Sequence, residues 1–535
     1  MFDITLIIYA VVLITAVWNT GAELRRDLMM LQQNTYRRDR YMHWLGQSGD
    51  STSGWRLAGI IVLGICLSPW CPYTPGMVLA GIFCTFHAIV LVRAKYKKPL
   101  VMTPRAARIY ATALILAALI TGGAMLIWRS PWAIALRAGA LTMLGLYCLS
   151  HVVILVANAL LHPVEQNINR KYTRQAEQIL ASMPSLKIIG ITGSYGKTTT
   201  KHYLHRILSE KYETLMTPGS YNTPLGVVRT VRELLKPYHE VFIVEMGAKN
   251  IGDIKEICDI VHPRCGIITA VGPQHLESFK TIKNVQATKF ELADALPADG
   301  VAVVNDDFEE IANRPVHNVP CLRYAVKRPT EQTDYIATDI RYATTGTTFT
   351  ARDRRSDWSL ELRMPLVGEC NVSNVLAAVV MARALGVPDD RIAYAVERLE
   401  QVEHRLSIKR VPGGLTIIDD AFNSNPVGSA MALEVLGAMT GGKRILITPG
   451  MIELGDRQEE LNATFGRLAA ANADIVIVVG HYNRDAITSG LKEGGMPDLA
   501  VHTADSFAHA QQILTTLSAP GDIVLYENDL PDTFK

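Results

Sequence analysis

Charge is what this sequence has little of. Only 19% of its 535 residues are charged, against about 25% in an ordinary soluble domain. The 53 Lys and Arg nearly balance the 51 Asp and Glu, which argues against a general nucleic-acid binder because such proteins carry a dominant basic face. With 49% hydrophobic residues, the low charged fraction excludes both an average soluble enzyme and a disordered polar chain.

Paired cysteines are absent as well. The eight cysteines form no Cys-x-x-Cys motif, and half of them lie in or beside apolar runs. Their scatter predicts structural thiols in a reducing compartment and no cysteine metal site. They are Cys66, Cys71, Cys84, Cys148, Cys258, Cys265, Cys321 and Cys370.

The shortage of charged residues is concentrated in the first third of the chain. Residues 4–22, 57–92, 109–128 and 138–161 carry no charged side chain. A membrane-spanning helix needs about 20 apolar residues, so the first, third and fourth runs each fit one span. Three prolines and a glycine at 68–76 break the second run into two short spans joined by a turn. The sequence therefore predicts five transmembrane helices within residues 1–162.

Basic residues in the loops predict the orientation of these spans. They concentrate between spans one and two and between spans three and four, so the positive-inside rule places both loops in the cytoplasm and the N-terminus outside. Five crossings then deliver a polar connector, 163–185, and the remaining chain to the cytoplasm. His87 and His151 are given no role. The basic loop residues are Arg25, Arg26, Arg37, Arg38, Arg40 and Arg56, then Arg93, Lys95, Lys97, Lys98, Arg105 and Arg108.

After the connector, strands alternate with helices, and the first strand leads into a glycine-rich turn. Residues 186–192 are apolar, GSYGKTTT follows at 193–200, and a helix is expected to about Leu208. Such a turn cradles phosphate with backbone N–H groups, while a lysine reaches the terminal phosphates and a threonine binds Mg²⁺. Ile191 stands where the strict motif has its first glycine, so the alternative is an ordinary strand-to-helix turn.

Two further strand ends carry polar residues. The predicted strand 240–244 ends at Glu245, where a nucleotide-bound Mg²⁺ takes a second ligand; the alternative is an ordinary strand-end glutamate. The predicted strand 265–271 leads into a segment that contains His275.

Together these segments resemble the ATP-dependent Mur ligases, over residues 186–525. They are most like the branch that adds D-alanyl-D-alanine to UDP-N-acetylmuramoyl-tripeptide. The motifs are GITGSYGKTTT (190–200), VEMGA (244–248), VGPQHLE (271–277), NVSNVLAA (371–378), EHR (403–405), IDDAFNSNP (418–426) and GMIELG (450–455).

The resemblance implies the domain order and the fold class. A five-helix transmembrane region (1–162) and the connector precede an α/β P-loop ATP-binding central domain (186–402). A C-terminal Rossmann-like α/β domain (403–535) follows, with strands expected near 415–418, 444–448, 475–479 and 523–526.

The resemblance also implies a mechanism and its cofactors, ATP and two Mg²⁺ ions. ATP phosphorylates a carboxylate, an amine attacks the acyl phosphate, and an amide bond forms. Lys197 would hold the β- and γ-phosphates, Thr198 and Glu245 the first Mg²⁺, and His275 the second. Lys289 matches a lysine that is carbamylated in several members; its alternative is a surface lysine.

The remaining implied site residues hold the nucleotide or the hinge between domains. Arg405 matches a hinge arginine and completes the catalytic set of Lys197, Lys289 and His275. The nucleotide contacts implied are Gly193, Ser194, Gly196, Lys197, Thr198, Thr199, Asn305, Asn374, Arg405 and Asp420.

Three departures from the family pattern concern specificity. The spans stand in place of the N-terminal domain that holds the UDP-sugar. Cys370 and Phe422 replace a histidine and a tyrosine. The late Lys-Gly-Ser-Arg motif corresponds to Glu527-Asn528-Asp529-Leu530, whose acidic charge would favour an amine nearby.

The sequence thus predicts a membrane-embedded amide-forming ligase at the bacterial plasma membrane, with its ligase domains in the cytoplasm. Its expected partners are a lipid-linked or polymeric envelope carboxylate and an amine or amino-acid acceptor. The alternatives are a poly-amino-acid synthase resembling the poly-γ-glutamate enzymes, and a non-catalytic ATP-sensing membrane scaffold. A transporter is a weaker idea, because the predicted spans lack charged residues.

Overall fold

The computed structural model describes residues 4–96, 98–129, 131–343, 346–421 and 424–529. Lys97, Phe422, Asn423 and Leu530, which belong to the patterns above, lie outside the described residues. The described residues divide into two compact units, one that ends at Ile168 and one that comprises Asn169–Asp529.

The first unit is helical throughout its regular structure. Its apolar runs form helices because a buried or lipid-facing backbone must satisfy its own hydrogen bonds. Thr103 caps one of them by accepting a hydrogen bond from the backbone N–H of Ala106 at 3.2 Å. A short 3₁₀ turn covers Asp50–Thr52. The helices are α1 Ile4–Gln33, α2 Arg38–Ser48, α3 Gly54–Leu67, α4 Tyr73–Arg93, α5 Pro104–Ile127, α6 Trp132–Cys148 and α7 Ser150–Ala181.

In the described part of the chain, three helices are long and apolar enough to cross a membrane: α1, α4 and α5. The α6–α7 pair counts as a fourth span only if taken together, since the two helices bend by 80° at Leu149. Helix α3 has 14 residues and is about 21 Å long, shorter than a hydrocarbon core of about 30 Å. The break predicted at 68–76 is confirmed for residues 68–72, whereas residues 73–76 already belong to α4. The run predicted as the last span is interrupted.

A buried ionic network joins the helices of this unit. Arg56 is 1% exposed and donates to Glu23 Oε1 at 2.9 Å and to Asp27 Oδ1 at 3.0 Å. It also donates to Ser150 Oγ at 2.9 Å, whose hydroxyl in turn donates to Asp27 Oδ2 at 2.6 Å. Asp50 lies 3.6 Å from the same guanidinium. The placement of Arg56 in a loop was therefore wrong, because it lies in α3 as an internal ion-pair partner.

The second unit begins with a nine-stranded sheet in the order β2-β3-β1-β4-β5-β6-β7-β8-β9, parallel as far as β7 and antiparallel beyond it. We call this sheet and its helices the central lobe. Its strands are β1 Lys187–Thr192, β2 Thr214–Met216, β3 Val241–Glu245, β4 Cys265–Ile268, β5 Val301–Asn305, β6 Cys321–Ala325, β7 Tyr335–Ala343, β8 Gly346–Asp353 and β9 Ser359–Met364. Its helices are α8 Lys197–Leu208, α9 Pro224–Glu233, α10 Asp253–Val261, α11 Leu276–Phe279, α12 Ile282–Asp294, α13 Glu309–Ala312, α14 Glu369–Ala384 and α15 Asp389–Glu397.

The unit ends with a six-stranded sheet in the order β10-β11-β15-β12-β13-β14, parallel except for the edge strand β10. We call this sheet and its helices the C-terminal lobe. The four strands expected here are confirmed to within two residues at each end. The elements are β10 Ser407–Arg410, β11 Thr416–Asp420, β12 Arg444–Thr448, β13 Ile475–Val479, β14 Val501–Ala504 and β15 Ile523–Glu527, with α16 Pro426–Ala438, α17 Gln458–Asn472, α18 Arg484–Glu493 and α19 Phe507–Leu517. Short 3₁₀ turns cover Gly455–Arg457 and Asp498–Ala500.

Candidate active site

The glycine-rich turn lies between β1 and α8, at the carboxyl end of a strand flanked by β3 and β4. Gly196 has a φ of +77°, and a Cβ there would lie 2.5 Å from Asn374 Oδ1. A Cβ on Gly193 would overlap the Thr269 hydroxyl. Both positions therefore require glycine, and the backbone is free to approach a ligand closely.

The N-terminus of α8 is open and has the geometry that suits an anion. Gly196 occupies the N-cap and supplies no side-chain hydrogen bond, so first-turn N–H groups point outward with the positive end of the helix dipole. Lys197 Nζ folds back over the turn and donates to Gly193 O at 2.6 Å and to Ser194 O at 3.3 Å. Burial lowers the pKa of Lys197 to about 8, against the charge of Glu245.

A hydroxyl and a carboxylate meet beside this turn. Thr198 Oγ1 donates to Glu245 Oε1 at 3.1 Å, and Asn222 Nδ2 donates to the same oxygen at 3.0 Å. Lys201 Nζ lies 3.0 Å from Glu245 Oε2. Burial opposes ionisation of Glu245, yet the charges of Lys201 and Lys197 hold its pKa below the usual value. Glu245 is thus an anion aimed at the threonine that follows the phosphate-loop lysine.

This donor set fits Mg²⁺ bound through a nucleotide. The described residues contain no group of three or more His, Cys, Asp or Glu that could hold a metal ion by themselves. Mg²⁺ typically takes one or two protein oxygens and completes its shell with phosphate and water. Thr198 and Glu245 supply that number of oxygens at the mouth of an anion site.

His275 is partly buried, with 15% of its side chain exposed, and Lys289 is buried. His275 has a left-handed backbone with φ +53°, and its Nδ1 is hydrogen-bonded to Glu453 of the C-terminal lobe. Burial lowers the pKa of His275, although Glu453 opposes this. Lys289, on α12, is 2% exposed; burial, and then the charge of Lys197, hold its pKa well below the usual value. The surface-lysine alternative is wrong.

Two family sequence models match the chain: the Mur ligase middle domain over residues 191–382 and the Mur ligase glutamate ligase domain over residues 404–526. The UDP-N-acetylmuramoyl-tripeptide–D-alanyl-D-alanine ligase of Mycobacterium tuberculosis (strain CDC 1551 / Oshkosh) is 30% identical over 66% of this chain and 72% of its own length. The chain belongs to the Mur ligase family. Its resemblance to these ATP-dependent acid–amino-acid ligases is confirmed.

Other Mur ligases agree with this assignment. The ligase of the same name from Escherichia coli is 29% identical over 63% of this chain and 74% of its own length. MurF from Acinetobacter baumannii superposes with a TM-score of 0.60 at 27% identity, covering 67% of this chain and 77% of MurF. MurF from Thermotoga maritima, solved in complex with ADP, gives 0.59 at 25% identity, covering 68% and 80%. The N-terminal region is helical where these ligases carry their UDP-sugar domain.

The Mur ligase family positions of the central lobe lie around the glycine-rich turn. Asn374 accepts a hydrogen bond from Thr200 Oγ1 at 3.2 Å and faces Gly196. Asn305 ends β5 and donates to Thr269 O at 2.9 Å and to Ser373 Oγ at 3.2 Å. Its amide is therefore already engaged within the lobe. Ser194, in the turn, and Thr199, in the first turn of α8, are buried at 2% and 8% exposure.

Arg405 and Asp420, for which the resemblance implies roles at a hinge and at the nucleotide, lie where the two lobes join. Asp420 ends β11 and accepts a hydrogen bond from the backbone N–H of Leu406 at 3.0 Å. Burial raises the pKa of Asp420 to about 6, against the charge of Arg405. His404 Nδ1 lies 2.8 Å from Asp419 Oδ2. The segment between α15 and β10, which links the two lobes, is thus held by hydrogen bonds at the carboxyl end of β11.

The acidic motif that replaces Lys-Gly-Ser-Arg is not an open acidic patch. Glu527 is 0% exposed, and its carboxyl accepts hydrogen bonds from Ser424, Ser429 and Thr448. Burial raises its pKa to about 7. The expectation that this motif attracts an amine is therefore wrong for Glu527, because three hydroxyl groups already donate hydrogen bonds to its carboxyl group. Asp529, by contrast, is exposed.

Four residues of this Mur ligase site were missed from the sequence. Lys201 follows Lys197 by one helical turn, a spacing that could have suggested it. Asn222 and Lys249 lie in loops, and no sequence pattern around them indicated a role in the site. Glu453 stands in the GMIELG motif, which marked the segment as important but not what it contacts.

Proposed function

We propose that this chain is a membrane-bound, ATP-dependent ligase that forms an amide bond on a peptidoglycan-type cell-envelope precursor. The observation that carries the proposal is the meeting of the glycine-rich turn and Glu245 at the carboxyl ends of β1 and β3, where Thr198 Oγ1 donates to Glu245 Oε1 at 3.1 Å. The family assignment supports the reaction class, and the helical first unit supports membrane attachment.

The proposed chemistry transfers the terminal phosphoryl group of ATP to a substrate carboxylate. An amine then attacks the acyl carbon, the C–O bond to phosphate breaks, and the amine loses a proton as the amide forms. Lys197 and the N–H groups of α8 hold the phosphates, which lowers the energy of the charge that develops on them. Arg405 and Asp420 approach the nucleotide from the hinge, with Gly193, Ser194, Gly196, Thr199, Asn305 and Asn374 as its other contacts.

Two Mg²⁺ ions would neutralise phosphate charge when bound. Thr198 and Glu245 are the residues that would hold the first, and His275 the second. Lys289 suits carbamylation, because its depressed pKa favours the neutral amine that attacks carbon dioxide. The nitrogen–carbon bond forms as the amine releases a proton, leaving an anionic carbamate.

The membrane arrangement that we propose has five crossings, with α6 and α7 together as the last. An odd number of crossings is required by the proposed orientation, since an even count would return the ligase lobes to the side of the N-terminus. Helix α3 would be a short span, and the basic loops on either side of α3 and α4 would face the cytoplasm. The domains proposed remain 1–162, 163–185, 186–402 and 403–535.

The carboxylate substrate is proposed to be lipid-linked or part of an envelope polymer. The relatives are named for UDP-N-acetylmuramoyl-tripeptide and D-alanyl-D-alanine. In the sequence of this chain the helical unit takes the place of the family's UDP-sugar domain, so a substrate at the membrane surface fits better than a soluble nucleotide sugar.

The test measures phosphate release from ATP by the full chain in detergent. Each assay contains D-alanyl-D-alanine and either UDP-N-acetylmuramoyl-tripeptide or the same peptide sugar on a lipid diphosphate. We expect release with the lipid-linked acid, abolished by Lys197→Ala and retained by Lys255→Ala, an exposed lysine paired with Asp259. Release with the soluble acid alone would contradict the lipid-linked substrate, and release that survives Lys197→Ala would contradict the ligase.

A further inference from the structure

The GMIELG segment reaches from the C-terminal lobe into the central lobe. Glu453 Oε1 lies 2.7 Å from Lys249 Nζ, and Glu453 Oε2 is hydrogen-bonded to His275 Nδ1. Both carboxylate oxygens are therefore used by residues of the other lobe. Glu453 has no role in the proposed transfer of the phosphoryl group or in amide formation.

The backbones of the two lobes also meet at this point. The N–H of Glu277 donates to Glu453 O at 3.3 Å, and a Cβ on Gly455 would lie 3.3 Å from Glu277 N. Glu453 and His275 both have left-handed backbones, with φ of +62° and +53°. Non-glycine residues hold such strained conformations only where their surroundings demand it. The surrounding structure therefore fixes the contact between Glu453 and His275.

The pairing decides which nitrogen of His275 can meet a metal. A histidine ligand usually gives its second ring nitrogen to a carboxylate, which fixes the ring and its tautomer. Here Nδ1 is taken by Glu453, and among the described residues no hydrogen bond is found at Nε2. Nε2 is thus the nitrogen left for coordination.

We propose that Glu453 is a positioning residue that completes the second Mg²⁺ position only when the C-terminal lobe lies against the central lobe. Its carboxylate orients His275, and its pairing with Lys249 keeps it there. This inference rests on the proposed function. It links lobe closure to metal binding through one side chain, since the orienting group and the ligand belong to different lobes.

The test counts metal ions on the full chain in detergent, with Mn²⁺ as the probe and a non-hydrolysable ATP analogue present. Electron paramagnetic resonance gives the number and affinity of bound Mn²⁺, and spin-echo modulation detects an imidazole nitrogen on the metal. In Glu453→Gln we expect the second Mn²⁺ to bind 10–100-fold more weakly, a range typical of such outer partners. The first Mn²⁺ should be unchanged.

Matched variants separate positioning from a general loss of structure. Glu459→Gln, an exposed glutamate of the same lobe, should bind both ions normally. His275→Ala should lose the second ion, and adding Glu453→Gln to it should cause no further loss. A double variant, Lys249→Glu with Glu453→Lys, exchanges the charges and restores an ion pair between the lobes. It gives His275 Nδ1 no carboxylate from position 453, so we expect no recovery of the affinity for the second Mn²⁺.

Several outcomes would overturn the inference while leaving the proposed function intact. They are unchanged affinity in Glu453→Gln, tighter binding there, which would make Glu453 a competitor of the metal, or recovery in the exchanged pair. If the unmodified chain binds neither the ATP analogue nor Mn²⁺, the proposed function itself fails, and this result is distinguishable from the others.

Discussion

Replacing Glu527 by glutamine should stabilise the C-terminal lobe at alkaline pH. Glu527 is fully buried at the end of β15, where Ser429 Oγ donates to it at 2.6 Å and Thr448 Oγ1 at 3.0 Å. These hydroxyls can rotate to serve an amide as well as a carboxyl group. Glu527→Gln therefore keeps the shape and the hydrogen bonds while removing the charge.

The expected size follows from the pKa of the carboxyl group. Burial raises the pKa of Glu527 from 4.5 to about 7, which corresponds to about 3 kcal/mol. Since the folded pKa is the higher one, this contribution to stability is present below pH 4.5 and is lost as the pH rises through 7. The glutamine variant has no such loss. Its advantage over the unmodified chain should grow by about 3 kcal/mol between pH 4.5 and pH 8.

Hydrogen exchange provides the assay, because it reports the opening of each element separately. The amides of β11, β12 and β15 are followed at several pH values and corrected for intrinsic exchange rates. Glu459→Gln, which changes an exposed glutamate, should track the unmodified chain throughout. An advantage of Glu527→Gln that is constant with pH, or that shrinks as the pH rises, would refute the reasoning.

Two further predictions concern the helical unit. Arg56→Leu should destabilise it by about 3–5 kcal/mol, because the buried Glu23 and Asp27 would lose Arg56 and keep only Arg26, which lies 3.0 Å from Glu23 and 3.9 Å from Asp27. Hydrogen exchange in α1 measures this loss, the exposed Arg93→Leu is the control, and equal protection in both variants would contradict it. A membrane-impermeant maleimide applied to intact cells should label the chain at Cys71, in the turn between α3 and α4, and Cys71→Ser should lose that label. Labelling only after the membrane is opened would reverse the proposed orientation.

Strand ends were the most predictable part of the fold and of the site. An apolar run followed by a glycine turn or a single carboxylate places Lys197 and Glu245 at the edge of a parallel sheet, because parallel strands of alternating β and α elements end together. The structure has both residues there. Local pattern and turn chemistry are enough for such positions.

Pairings between distant segments could not be predicted in this way. Arg56 and Asp27 are far apart in sequence. From the sequence alone, an arginine beside an apolar run is typical of a loop, and only the structure shows its ion-pair partner. Glu527 looks like an acidic surface residue because the hydroxyls that bury it come from other strands and helices. Glu453 meets His275 across two lobes, a contact that no local periodicity specifies.

The most direct test of the central claim follows an oxygen atom. If the chain forms an amide through an acyl phosphate, a substrate carboxylate labelled with ¹⁸O must pass one labelled oxygen to the phosphate that is released. Mass spectrometry of inorganic phosphate after turnover with ATP and both substrates should show one ¹⁸O per phosphate, and none with Lys197→Ala. Amide product accompanied by unlabelled phosphate would contradict the account.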